Sequence, residues 1–169
     1  MQPYRDAIIA PDKVRTTVAV RAIESVECLV VATDEGRREN LGFVAREGGW
    51  NVTLCREPAE AIAQARQRLL QMAIVDLSGS VASDSASYRF LVEQLACTSR
   101  MLLLVCGNVD DTREEVWARH LGVWMYLPGA IDGADLVGLC VAARETVERM
   151  SALNRQRALS VDRKTNQSR

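Results

Sequence analysis

Five short apolar runs, each followed by a stretch with helical periodicity, organise the chain from Cys28 onward, and that alternation leaves few folds open. "CLVVA" is short and β-branched, as a buried strand requires, and "DEGRRENLGFVAREGG" then places Leu41, Val44, Ala45 and Gly48 on one helical face before a Gly48-Gly49 stop. "WNVTLCR" alternates like a strand at a sheet edge. "EPAEAIAQARQRLLQ" opens with Pro58 near a helix start and keeps Ile62, Ala65 and Leu69 on one side. "MAIVDL" is the third strand, "SGSVASDSAS" a Ser-rich loop, and "YRFLVEQLACT" a short helix. "RMLLLVCG" is the most apolar strand, as expected for one covered on both faces. "VDDTREEVWARHLG" reads as a helix whose acidic first turn suits the helix dipole. "VWMYLPG" is the fifth strand, and a long helix follows from "DGADLVGLC", with Leu136, Cys140, Ala143, Val147 and Met150 on a 4-3 repeat and an end expected at Asn154.

Strand–helix alternation of this kind forces parallel pairing through right-handed crossovers, with helices on both faces of the sheet. The expected fold is therefore α/β, a doubly wound five-stranded parallel sheet. The working edge of such a sheet lies at the carboxyl ends of its strands. That edge receives Ala32, Thr33 and Asp34 from the first strand, Asp76 from the third, Cys106 and Gly107 from the fourth, and Gly129 after the fifth.

The ends depart from this pattern. In residues 1–26 Val14, Thr16, Val18 and Val20 alternate, which favours an extra strand, with an N-terminal helix as the open alternative. Residues 27–155 form the sheet domain, and 156–169 read as a flexible tail. A net charge of −1 gives no field to recruit nucleic acid or membrane, so direct binding to either is not expected. No run approaches the ~20 apolar residues of a membrane helix. The N-terminus lacks the apolar core of an export signal. Five cysteines without CxxC spacing fit reduced, buried thiols better than disulfides, and the expected location is cytoplasmic. His120 stands alone, without metal-ligand spacing around it.

Residues 28–150 resemble the receiver domains of two-component response regulators. The likeness rests on "LVVATDEGRRENL" as an apolar strand, acidic cluster and Arg-bearing helix. It also rests on "AIVDLSGS" as the phospho-acceptor strand and on "LGVWMYLPGAID" as the turn before the last helix. The resemblance implies a flavodoxin-like sheet and puts Asp76 at the phosphorylated position. It also implies a degenerate pocket: Ala32 and Thr33 stand at the family's acidic metal-binding pair, with Asp34 one step late. Gly107 stands at the Ser/Thr, or Cys106 if the register shifts by one, and Gly129 at the lysine. The only lysines are Lys13 and Lys164. Tyr126 matches the aromatic whose orientation reports the state of many relatives.

Phosphoryl transfer to a carboxylate needs Mg²⁺ and positive or hydroxyl donors to offset the crowding of negative charge. With acid pair, lysine and hydroxyl absent, the expectation is no Mg²⁺, no other cofactor, no enzymatic activity, and an Asp76 that hydrogen-bonds the adjoining loop. The leading expectation is a phosphorylation-independent, receiver-like domain acting on a protein partner or effector. An active regulator phosphorylated on Asp76 and a small-molecule or nucleotide-binding domain are the alternatives. Trp124 and Tyr126 are expected to share one face of the fifth strand, packed in the core or, if that face is exposed, serving as interaction candidates, and the resemblance implies a homodimer through that strand and the last helix.

Overall fold

The computed structural model describes residues 26–78, 85–98, 101–129 and 133–166. The expected N-terminal strand or helix and most of the Ser-rich loop lie outside them. Within them the chain runs β1 (Glu27–Val31), α1 (Glu35–Glu47), β2 (Asn51–Cys55), α2 (Pro58–Gln67) and β3 (Met72–Asp76). It continues α3 (Ser85–Ala96), β4 (Leu102–Gly107), α4 (Thr112–His120), β5 (Met125–Pro128) and α5 (Gly133–Asn166). All strand pairs are parallel, in the order β2-β1-β3-β4-β5. The expected five-stranded doubly wound sheet is thus present.

Burial explains the strand order. Every residue of β3 and β4 is buried, matching their unbroken apolar runs, while β2 keeps half-exposed residues at the sheet edge. Alternate residues feed two cores. Val30, Ile74, Leu104 and Leu127 pack under α1 and α5 with Leu41, Val44, Leu136 and Cys140. Leu29, Val75, Val105 and Tyr126 pack under α2, α3 and α4 with Ala61, Tyr88, Leu91 and Ala118. Trp50 pins α5 to the end of α1, donating from Nε1 to the Cys140 carbonyl at 2.9 Å.

Four expectations need correction. Leu69 does not share the buried face of α2: the helix stops at Gln67, so Leu69 falls outside its period and is 87% exposed. Trp124 and Tyr126 do not share a face either. Trp124 precedes β5, where strand alternation does not hold, and packs against the α1/α5 core, whereas Tyr126 turns into the opposite one. Cys97 is exposed at the end of α3, unlike the other four thiols. Finally, α5 continues past Asn154 to Asn166, so 156–166 is helical rather than tail. No Gly or Pro follows Gly138 in that run, and a single Asn disfavours a helix too weakly to end it.

Candidate functional site

Parallel strands place their carboxyl ends on one edge, and the order reverses between β1 and β3, so Thr33 and Asp76 flank the crevice where such sheets bind ligands. Asp76, the last residue of β3, is fully buried. Its charge is met from α1: Arg37 donates from Nε to Oδ2 at 2.6 Å and from Nη2 to Oδ1 at 3.1 Å. Ser78 adds its backbone N–H at 3.2 Å and its hydroxyl at 2.6 Å, both to Oδ1. The expected bond from Asp76 to the adjoining loop is present, and the guanidinium fork comes with it. That contact raises the Arg37 pKa above its ordinary value, the hydrogen bond to Asp76 being the main cause.

Helix geometry explains why Arg37 reaches the acid. Side chains in a helix lean toward its N-terminus, and α1 begins directly above the strand ends, so first-turn residues fold back over them. Arg38 does the same, donating to the carbonyls of Ala32 at 3.0 Å and Thr33 at 3.4 Å. Asp34 turns the other way. It is the N-cap of α1 and accepts from the Arg37 backbone N–H at 2.8 Å. Spacing along the chain does not assign Arg37 to Asp76, although "DEGRREN" holds a signal. Two arginines in a first turn oppose the helix dipole, so something else must hold them there.

The remaining expected pocket residues are spread along the same edge. Ala32 is buried in the α1/α5 core. Thr33 donates to the Tyr88 hydroxyl at 2.8 Å, which in turn donates to the Arg56 carbonyl at 2.6 Å. Cys106 pairs beside Asp76 in the sheet, and burial, then the nearby carboxylate, push its thiol up to about 12. Gly129 donates to the Gly107 carbonyl at 2.9 Å and lines a cavity of about 60 Å³ with Arg37, Leu41, Cys106 and Leu127. Small-molecule sites commonly enclose about 300–1,000 Å³, so this space holds no drug-sized ligand. The donors fit a divalent cation poorly. Among the described residues, Asp76 has both oxygens already hydrogen-bonded, and Asp34 caps a helix. Among the described residues no cluster of three or more His, Cys, Asp or Glu side chains could hold a metal.

At the other end of the edge Tyr126 packs in the core, the alternative to an exposed interaction residue. It is buried, with its hydroxyl 2.9 Å from Glu114 Oε1. Glu114, a buried acid on α4, went unnoticed in sequence because an acid in a first turn is ordinary.

No family model matches the sequence, and no curated protein matches it. Solved structures do match in fold. A CheY-like response regulator receiver domain from Methanospirillum hungatei JF-1 aligns with TM-score 0.62 at 14% identity, over 76% of this chain and 98% of that one. The chemotaxis response regulator CheY4 of Vibrio cholerae aligns with TM-score 0.57 at 15% identity, over 70% and 98%. NtrX from Brucella abortus aligns with TM-score 0.65 at 13% identity, over 78% of this chain but 29% of that one. With its parallel sheet in the order β2-β1-β3-β4-β5, the chain has the fold of response-regulator receiver domains.

Proposed function

We propose that this chain is a receiver-like signalling domain that works without phosphorylation and without Mg²⁺, regulating a partner or effector by protein contact. The bidentate Arg37–Asp76 pair carries the reading. A carboxylate that accepts a phosphoryl group must offer one oxygen to phosphorus and keep a cation beside the incoming charge. Here Arg37 takes one oxygen with Nε and the other with Nη2, while Ser78 adds two donors to Oδ1. Freeing Asp76 would leave a fully buried charge unpaired, which is costly. The positions that resemble the family's metal acids, hydroxyl and lysine hold Ala32, Thr33, Gly107 and Gly129, which restore none of the lost stabilisation.

Protein contact is supported by exposed apolar residues on the outer helices: Val116 on α4, and Val141, Met150 and Leu153 on α5. In NtrX the matched fold is one part of a longer chain, the arrangement expected of a domain that acts on an attached or separate effector. A homodimer through β5, the last strand of the described sheet, and the long α5 belongs to the same proposal. Near-zero net charge gives no reason to invoke direct nucleic-acid binding, and among the described residues no helix is long and apolar enough to cross a membrane. Intact-mass measurement after incubation with acetyl phosphate and Mg²⁺ tests the reading. The expected spectrum shows the unmodified mass alone. A Mg²⁺-dependent phosphate adduct that disappears in Asp76→Asn would support the active-regulator alternative instead.

A further inference from the structure

A second buried polar cluster joins α4 to the sheet, and the chemistry at Asp76 makes no use of it. Glu114 is 4% exposed, and its Oε1 accepts from the Tyr126 hydroxyl at 2.9 Å and from the Asn108 N–H at 3.2 Å. Its other oxygen lies 3.7 Å from Nη2 of Arg89 on α3, whose guanidinium also sits 5.0 Å above the Trp117 ring. Gly107 makes the room for this cluster. A Cβ built on it would overlap both the Tyr126 hydroxyl and the Glu114 carboxylate. Any other residue at 107 must therefore push Tyr126 outward or separate it from Glu114.

We infer that Tyr126 is a fixed plug: it fills the space left by the missing side chain of Gly107 and holds α4 to the sheet through Glu114, keeping the helix in one position. An outward Tyr126 would remove one of the donors to a buried carboxylate and open a void above Gly107, and both changes oppose the move. The outer side of α4, with the exposed Val116, is thereby presented without a switching step. The lock uses no atom of Asp76, Arg37 or Ser78, so it holds whether or not that acid is modified.

Amide hydrogen exchange on the full chain tests the plug. Tyr126→Phe keeps the ring and deletes only the donor. Amides of 114–120 should then exchange about tenfold faster, the loss of one hydrogen bond to a buried charged group, while β1 and β3 keep wild-type protection. Gly107→Ala should open the same amides. The Gly107→Ala/Tyr126→Phe double variant should fall short of the two effects added together, because Phe lacks the hydroxyl the new Cβ displaces. Wild-type protection of α4 in Tyr126→Phe would overturn the inference even if Gly107→Ala failed to fold. So would strict additivity in the double variant.

Discussion

Arg37 and Asp76, 39 residues apart, form a two-pronged ion pair at the carboxyl edge of the sheet. The two partners are unequally placed: the Asp76 side chain is sealed, whereas that of Arg37 keeps 34% of its surface in solvent. Water can therefore take over the duties of Asp76 toward the arginine, but it cannot take over those of the arginine toward the acid. The pair should respond asymmetrically to mutation.

Arg37→Met strands a buried carboxylate and should cost roughly 2–4 kcal/mol, somewhat below the 3–5 of a fully sealed pair. Asp76→Asn keeps the shape and most hydrogen bonds of the site and leaves the arginine partly hydrated, so about 1–2 kcal/mol is expected. Urea denaturation of the two variants checks the order. Equal losses, or a larger one for Asp76→Asn, would contradict a clamp centred on the acid.

Asp34 offers a sharper distinction. As the N-cap of α1 it should lose about 1 kcal/mol on change to Ala, and almost nothing on change to Ser or Asn, which cap equally well. A metal-ligating acid would behave differently, since Asn and Ser both remove the charge. Thermal denaturation of the three variants with and without Mg²⁺ separates the roles, and the expected midpoints do not move with Mg²⁺.

Alkaline pH should weaken the fold. The thiols of Cys55, Cys106 and Cys140 are pushed up to about 11, 12 and 11, chiefly by burial, and the Tyr126 hydroxyl is raised by burial and by Glu114. Native thiols stay protonated where unfolded ones ionise near 9, so their stability contribution is complete below that value and falls as pH climbs toward the native one. Each such group steepens the loss by up to roughly 1.4 kcal/mol per pH unit. Cys106→Ala should flatten the slope between pH 9 and 11, read from urea midpoints at several pH values. An unchanged slope would contradict the assignment.

The sheet was legible in the sequence because its strands are short apolar runs bounded by turns, and β3 and β4, buried on both faces, read most clearly. Periodicity failed where elements end. Leu69 and Trp124 lie just outside α2 and β5, so neither keeps the face its spacing suggested. The end of α5 was hidden because no breaker marks it before Asn166. Asp76 and the positions around it on the sheet edge could be placed from strand ends alone. Their occupants could not, because Arg37 and Glu114 reach their partners with long side chains across elements, and spacing along the chain carries no trace of that reach.

Titration with beryllofluoride and Mg²⁺, followed by amide chemical shifts around Asp76 and Cys106, probes the clamp most directly, since the complex forms only on a carboxylate that can present an oxygen beside a cation. Wild type and Asp76→Asn should respond alike, with no saturable, Mg²⁺-dependent shift in either. A saturable change in wild type that Asp76→Asn abolishes would show that Arg37 yields the acid and that the reaction survives.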